Sequence, residues 1–367
     1  MRKPHVLSVA AVAGAFTAAL LLSRTSSAMQ PQTAVLDGLV ASLRQSVAPL
    51  PPRPALDQDV VALGRALYHD ATLSRTNAVS CATCHPLATA GTTPEPLTTR
   101  GVNGMPALFN TPTTWNAARS TRQAWRADAA DVAELLERPF FKESCMGNKD
   151  WPELLQKIDE RYQKRFARAG VAFDKGGVDG ALVAYLEAIE PRGSPVDRWL
   201  AGDDHAVNDE AKRGGALFEQ IGCVACHNGA GVGGVTVARF GLAVADPYVE
   251  RGICADKSYC RSDVDCGGVG ACMKGVAPVR DADLGVPAGP GQPPTYQFRV
   301  PSLRNVARTG PWFHDGSART LDEAVRTMAH LQLGRTLTDD EAGALVAFLG
   351  ALTGELPAGE LALASAR

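Results

Sequence analysis

The chain carries the stretch CATCH at residues 81–85 and the stretch CVACH at residues 223–227, 142 positions further along. In each stretch two cysteines lie three positions apart, and a histidine directly follows the second. Two thiols at this spacing can add to the two vinyl groups of one haem, and the histidine then becomes an axial ligand of the iron. The candidate attachment and iron-ligating residues are Cys81, Cys84, His85, Cys223, Cys226 and His227. Two unrelated CXXC clusters that bind zinc or form disulfides are the alternative.

The N-terminus has the pattern of an export signal. Arg2 and Lys3 form a basic start, residues 6–22 are apolar, and small residues end at Ala28. We therefore expect residues 1–28 to be a signal peptide that is cleaved near Ala28, and the mature protein to lie in the periplasm. A retained anchor is the alternative, but the apolar run is shorter than the ~20 residues that a spanning helix needs. We expect no retained membrane span. Export also agrees with haem attachment, which takes place outside the bacterial cytoplasm.

The charge balance argues against nucleic acid as a partner. The chain has 37 basic and 39 acidic residues, and residues 1–28 hold three of the basic ones and no acid. The mature chain would therefore have 34 basic against 39 acidic residues, a net charge of −5. No stretch is basic enough to suggest binding to nucleic acid. An electron-donor protein would instead dock on a local patch.

Length and composition predict a mainly α fold with two cytochrome-c-like haem domains and long loops. Strand-like alternation is scarce, and a chain of this length usually forms two domains. We expect a Pro-rich lead-in at 29–55, an N-terminal haem domain at 56–200, a C-terminal haem domain at 201–357 and a tail at 358–367. Helical spacing is clear at Leu154, Leu155, Ile158, Tyr162 and Phe166. Asn208, Thr320 and Thr338 are the predicted N-caps of later helices.

A Cys-rich insertion is expected in the second domain, at residues 245–296. It contains Cys254, Cys260, Cys266 and Cys272 among Gly, Asp and Ser. Four cysteines in a loop-rich exported segment indicate two disulfides, with three possible pairings. A zinc site is the alternative. The remaining cysteine outside the haem motifs, Cys145, would by itself be a buried inert thiol.

Several further stretches resemble the bacterial diheme cytochrome c peroxidase and MauG superfamily. The resemblance covers most of residues 57–354 apart from the insertion. It rests on LGRALYHD at 63–70, LS at 73–74, PALFN at 106–110, VPSLRNV at 300–306, GPWFHDG at 310–316 and the pattern of 320–352. The closest likeness is to the branch of peroxidases whose C-terminal haem has His and Met ligands.

The resemblance implies iron ligands beyond the two histidines. The family's Met ligand lies fourteen residues beyond the His of the FHDG stretch, which is Met328 here. On the residues alone Met328 would be a core methionine, since it shares a helical face with Leu321 and Val325. The MauG branch has Tyr at this place. Many of these peroxidases also have a second His after the first motif, yet residues 86–116 contain none. The His85 haem is therefore open, or His69 reaches it.

The resemblance also implies catalytic residues. Trp125 matches the family tryptophan between the two haems, where it assists electron transfer. The family's acid–base Glu aligns with Cys145, and Glu143 lies two residues before it. A carboxylate at this place would move a proton between the two oxygens of peroxide, so Glu143 could act if its loop shifts. Cys145 would be a poorer relay and open to oxidation.

Calcium is a further option that the resemblance raises. Family members bind Ca²⁺ between domains through backbone and amide oxygens. Thr309 and Pro311 match the carbonyl contributors, and Asn103 lies next to the position of the amide contributor. Such a site needs no carboxylates, so composition does not test it.

Taken with the resemblance, these observations predict a periplasmic enzyme with two covalently bound c-type haems that reduces hydrogen peroxide to water. Electrons would come from a small cytochrome c or a cupredoxin. They would enter at the C-terminal, electron-transfer haem and reach the N-terminal, peroxidatic haem. The alternatives are a MauG-like oxidase acting on a partner protein, and a non-enzymatic diheme electron carrier or redox sensor. Whether the chain is a monomer or a homodimer is left open.

Overall fold

A computed structural model describes residues 30–95, 99–104, 107, 109–244 and 297–360, and within 245–296 only three short strands. The predicted signal peptide therefore lies outside the described residues. The predicted disulfides do too, because Cys254, Cys266 and Cys272 are not described and only the backbone of Cys260 is. Among the described helices, none combines the length and the apolar character that crossing a membrane requires.

Helices dominate the described part of the chain, as predicted. In chain order they are α1 (Gln30–Ser46), α2 (Gln58–His69), α3 (Cys81–Cys84), α4 (Val132–Phe141), α5 (Trp151–Ala169), α6 (Lys175–Ala188), α7 (Pro195–Leu200), α8 (Asp209–Gln220), α9 (Leu321–Leu333) and α10 (Asp339–Gly350). The strands are β1 (Val237–Arg239), β2 (Gly252–Ile253), β3 (Tyr259–Cys260), β4 (Met273–Lys274) and β5 (Gln297–Arg299). β1 pairs antiparallel with β5, and β2 lies between β3 and β4.

The first half of the molecule packs around α2, α5 and α6. Helix α5 buries Leu154, Ile158, Tyr162 and Phe166, which confirms the spacing seen in the sequence. It begins at the N-cap Asp150, whose side chain accepts from Glu153 N, and ends at Gly170. Because these residues recur every four positions, one side of the helix faces the core and the other faces water.

The second half packs around α8, α9 and α10, and α1 belongs to it. Leu43 and Val47 are 0% exposed and lie in the same cluster as Phe348 and Leu345. This helix was not expected, because the prolines at 49–54 indicated a lead-in over the whole of 29–55. The predicted N-caps Asn208, Thr320 and Thr338 all accept a backbone N–H of the first turn.

Glycine lets two helices touch in each half. A Cβ at Gly64 in α2 would lie 1.8 Å from the carbonyl oxygen of Ala181 in α6. A Cβ at Gly214 in α8 would lie 1.9 Å from the carbonyl oxygen of Ala344 in α10. Both helices precede a CXXCH stretch in the chain, α8 by two residues and α2 by a longer loop.

Three asparagines and the end of the chain join the two halves. Asn110 Nδ2 donates to Pro311 O at 2.6 Å, and Asn305 Nδ2 donates to Asn116 Oδ1 at 2.6 Å. Near the C-terminus Tyr185 OH donates to Glu360 Oε2 at 2.8 Å, so the predicted tail returns to the first half. The two CXXCH stretches are thereby held on opposite sides of one seam.

Candidate functional site

One central cavity of ≈ 490 Å³ lies at this seam and is lined by both CXXCH stretches. The structure thus brings together all six candidate haem residues. The cavity wall is mainly apolar and includes Val132, Leu136, Phe140, Leu182 and Leu186 from the first half and Phe218, Ile221, Val325, Leu345 and Leu349 from the second. No Asp or Glu of the described residues lines it.

The first stretch forms the short helix α3, which turns His85 toward the cavity. Ser80 and Thr83 make a reciprocal capping box at its start, and His85 N donates to Cys81 O at 2.8 Å. His85 Nδ1 lies 3.0 Å from Gly91 O. Since a carbonyl only accepts, Nδ1 carries the proton and Nε2 is left with a free lone pair. Burial lowers the pKa of His85, so the ring is neutral, as an iron ligand must be.

The second stretch forms a 3₁₀ turn, Cys223–Ala225, after Gly222 at φ 94°. His227 N donates to Cys223 O at 2.9 Å, which repeats the geometry of the first stretch. Burial lowers the pKa of His227 to about 4, so this ring is neutral at pH 7 as well.

The cysteines of both stretches are free thiols in the structure. Burial raises the pKa of Cys81 and of Cys223 to about 12 and that of Cys84 to about 11. Among the described residues no group of three or more His, Cys, Asp or Glu side chains could hold a metal ion. Paired thiols and one neutral imidazole on an apolar wall fit a covalently attached haem better than a zinc site. Two such sets fit two haems.

Met328 lies on α9 and lines the same cavity as His227. Leu321 and Val325, the two residues that share its helical face, line it too. His69 does not line the cavity. Its Nε2 lies 3.4 Å from Tyr185 OH.

Trp125 lies on the cavity wall where the halves meet. Its Nε1 donates to Asn110 O at 2.8 Å, and Asn110 N donates to His314 O at 2.8 Å. The rings of Trp125 and His314 approach edge to face at 6.5 Å, and His314 stacks on Phe298 at 4.4 Å. Trp125 is therefore held on the wall of the shared cavity by contacts with both halves.

Cys145 and Glu143 lie on different sides of the loop after α4. Cys145 lines the cavity, and burial raises the pKa of its thiol. Glu143 does not line the cavity, and its side chain is 56% exposed and paired with Arg75. Hydrogen bonds from Arg75 lower the pKa of Glu143, so this carboxylate is ionised at neutral pH.

Two of the three candidate calcium residues line the cavity. Thr309 and Pro311 line the cavity, and the carbonyl of Pro311 accepts from Asn110 Nδ2. Asn103 is exposed and does not line the cavity. Calcium binding stays a prediction.

Sequence reasoning missed two residues of the cavity wall, Tyr68 and Arg299. Tyr68 OH donates to His85 O at 2.6 Å and so steadies the first histidine. Arg299 is 9% exposed although it is charged. A single Tyr in a helix or a single Arg in a strand has no pattern that separates it from a surface residue, so only the fold reveals them.

The fold and the cavity define a class of protein, a mainly helical chain with two c-type haem sites that meet at one seam. The family model for di-haem cytochrome c peroxidase matches residues 58–205. The chain is 32% identical to cytochrome c551 peroxidase of Nitrosomonas europaea over 87% of each chain. It is 33% identical to cytochrome c551 peroxidase of Pseudomonas aeruginosa over 80% of this chain and 79% of that protein.

Among solved structures, a MauG-like protein associated with microbial copper homeostasis covers 84% of this chain and 93% of its own, with a TM-score of 0.65 and 22% identity. This likeness supports the fold alone. From its relatives of about 30% identity, this chain belongs to the di-haem cytochrome c peroxidase and MauG family. It is accordingly an oxidoreductase, and membership implies two c-type haems. The resemblance found in the sequence is confirmed.

Proposed function

We propose that the protein is a periplasmic peroxidase that reduces hydrogen peroxide to water with electrons from a small redox protein. The observation that carries the proposal is one cavity whose wall contains both CXXCH stretches and Trp125. Two metal centres that share one cavity suit a reaction that needs two electrons. The relatives named cytochrome c551 peroxidase support the same reaction and a cytochrome donor. A cupredoxin is the alternative donor.

In this proposal the second haem would be the entry point for electrons from the donor. His227 and Met328 line the cavity within the second half and are the residues that would hold its iron. A thioether ligand would raise the potential of this haem and so favour its reduction by the donor. Met328 in place of Tyr argues against a MauG-like oxidase that acts on a partner protein.

Peroxide is bound and reduced on the side of His85. When bound, the haem iron there supplies the electrons that break the O–O bond. The residues contribute position and protons: Gly91 O fixes the His85 ring through Nδ1, and the apolar wall excludes water. Each peroxide takes up two electrons and two protons and leaves as two water molecules.

The proton relay of the proposed reaction requires a movement of the protein. Cys145 faces the cavity, but its raised pKa keeps the thiol protonated, so it is a weak base. Glu143 is the better relay in chemistry and is held outside by Arg75. We propose that Glu143 acts after the loop at 142–147 shifts and the pair with Arg75 opens.

A non-enzymatic electron carrier or redox sensor is the second candidate. It is favoured by one observation, the lack of any Asp or Glu among the described residues that line the cavity. If Glu143 never reaches the cavity, peroxide would lack a proton relay there.

The test is steady-state oxidation of reduced cytochrome c by hydrogen peroxide, with the protein both oxidised and half-reduced and with and without Ca²⁺. We expect two donor molecules to be oxidised for each peroxide consumed. A cupredoxin donor is run in parallel. No turnover with either donor under any of these conditions would refute the peroxidase and leave the electron carrier.

A further inference from the structure

Arg299 is a charged side chain enclosed at the seam between the halves. It lies on β5, is 9% exposed, and lines the central cavity. Its backbone N donates to Trp125 O at 2.9 Å, so β5 is tied directly to the tryptophan that both halves hold.

Its guanidinium is only partly satisfied by the described residues. Nε donates to Ala124 O at 3.1 Å, and Nη1 donates to Ser120 Oγ at 3.3 Å. Both partners are neutral, and Nη2 has no hydrogen bond to a described residue. No carboxylate of the described part of the chain lies within ion-pairing distance of it.

Two other arginines, one buried and one partly buried, do have a carboxylate. Arg304 is 2% exposed, and its Nη2 lies 2.8 Å from Asp197 Oδ1. Arg119 Nε lies 2.6 Å from Glu190 Oε1. Arg299 therefore differs from both of these arginines.

An enclosed cation without an anion is costly, so a compensating negative charge is expected beside it. Burial lowers the pKa of Arg299 to about 10, which still leaves the group charged at neutral pH. The cavity wall contains no Asp or Glu among the described residues. A carboxylate carried by a molecule that fills the cavity would supply the negative charge.

We propose that Arg299 binds a propionate carboxylate of one of the two haems, beside Trp125. The inference deepens the proposed function and rests on its two haems, since each carries propionate carboxylates. A guanidinium matches a carboxylate with two parallel N–H donors, and Nη2 of Arg299 has no hydrogen bond to a described residue.

This contact would affect the haem as well as hold it. A fixed positive charge beside a propionate favours the iron state with one more electron, so it raises the midpoint potential. Because Arg299 also bonds to Ser120, Ala124 and Trp125, the same residue would align the haem with the tryptophan.

The experiment compares Arg299→Gln, Arg299→Lys and Arg126→Gln in the two-haem protein. Arg126 is the matched control, a nearby arginine that lies over the Phe109 ring at 5.6 Å and does not line the cavity. Haem content is measured first. The midpoint potentials of both haems are then measured by spectroelectrochemistry, and the propionate bending bands by resonance Raman scattering.

We expect Arg299→Gln to shift the reduction equilibrium of one haem about tenfold toward the oxidised form. This lowers the midpoint potential of that haem by about 59 mV, the value for one electron. The propionate band of that haem should shift, Arg299→Lys should keep most of the potential, and Arg126→Gln should change neither. Unchanged potentials and bands in a fully loaded Arg299→Gln would overturn the proposal.

If Arg299→Gln does not take up haem, the proposal is tested with the propionate band and the midpoint potential of Arg299→Lys. The lysine keeps the charge but replaces a planar fork with a single ammonium, so the propionate band must shift while the potential stays near that of the wild type. An unshifted band in this variant overturns the proposal. None of these readouts uses peroxide, so a failure of the peroxidase reaction and a failure of this inference are distinguishable.

Discussion

Arg75 donates hydrogen bonds to both carboxylate oxygens of Glu143 at the protein surface. Its Nη2 lies 2.7 Å from Oε2, and Nη1 contacts Oε1. The two side chains are 46% and 56% exposed, and neither lines the central cavity. The carboxylate nearest in sequence to the aligned acid–base position is thus held away from the place where peroxide would bind.

The first prediction concerns this pair. Glu143→Gln should lower peroxide turnover by about 10²- to 10⁴-fold, the usual loss when a positioned acid–base group is removed. Cys145→Ala should keep most of the turnover, since the protonated thiol is a weak base. Arg75→Gln frees the carboxylate and should raise turnover or shorten any lag before it begins. Steady-state kinetics with a reduced donor measures all three.

The opposite pattern would count against Glu143. If Cys145→Ala lost turnover while Glu143→Gln kept it, the proton relay would be Cys145 and not Glu143. Arg75 and Glu143 are exposed, and Cys145→Ala removes only one sulfur atom from a partly buried position, so none of the three variants should unfold the protein, which circular dichroism checks.

The second prediction concerns the helix crossings that place the CXXCH stretches. Gly64→Ala should destabilise the protein by about 1–3 kcal/mol, because its Cβ would overlap the carbonyl of Ala181 at 1.8 Å. Gly214→Ala should do the same against Ala344. The free energy of unfolding is obtained from denaturant titration.

Gly180 provides the matched control, since it is an exposed helical glycine with nothing within 4 Å of its would-be Cβ. Gly180→Ala should stabilise by roughly 0.5–1 kcal/mol. Equal effects at Gly64 and Gly180 would mean that α2 and α6 are not in backbone contact.

The third prediction concerns Met328. Met328→Leu should remove the thioether from the second haem, lower its midpoint potential and slow electron entry from the donor. The charge-transfer absorption of a Met–iron bond should disappear with it. Met146→Leu is the control, because Met146 is a buried methionine of the first half whose swap to leucine costs little. Loss of the band in Met146→Leu rather than in Met328→Leu would contradict the assignment.

The fourth prediction concerns a buried carboxylate outside the cavity. Glu190 is 3% exposed and lies 2.6 Å from Arg119 and 2.7 Å from Arg192. Burial alone would raise the pKa of Glu190, but the two arginines outweigh it and the pKa is lowered. Glu190→Gln should cost about 3–5 kcal/mol at pH 7, the usual loss on breaking a buried pair.

The sign of the pH dependence follows from the lowered pKa. The unfolded chain binds a proton at Glu190 more readily than the folded chain, so the stabilisation is present above the unfolded pKa and is lost as pH falls through the folded pKa. The difference between wild type and Glu190→Gln should therefore shrink in acid. Glu160→Gln, at an exposed position of α5, should stay within ±0.5 kcal/mol at every pH. If the difference in the free energy of unfolding between wild type and Glu190→Gln stayed constant down to low pH, the ion pairs of Glu190 with Arg119 and Arg192 would be contradicted.

The features that could be predicted from sequence are local ones. The CXXCH stretches, the apolar spacing of α5 and the N-caps Asn208, Thr320 and Thr338 each depend on residues a few positions apart. Spacing alone suffices because the helix period and the capping bond act within one or two turns.

The features that could not be predicted depend on distant parts of the chain. Helix α1 is stabilised by burial of Leu43 and Val47 in the second half, which its own Pro-rich flank conceals. The pair between Arg75 and Glu143 joins residues 68 positions apart. Arg299 becomes conspicuous only once Ser120, Ala124 and Trp125 are seen around it.

The central claim is that two haems at one cavity act together on peroxide through Trp125. The most direct test is to mix the half-reduced protein with one equivalent of hydrogen peroxide, without a donor, and follow both haems by stopped-flow absorbance. We predict that the His227 haem is oxidised as fast as peroxide is consumed, and that Trp125→Phe slows this oxidation. Peroxide that is consumed while the His227 haem stays reduced would contradict the account.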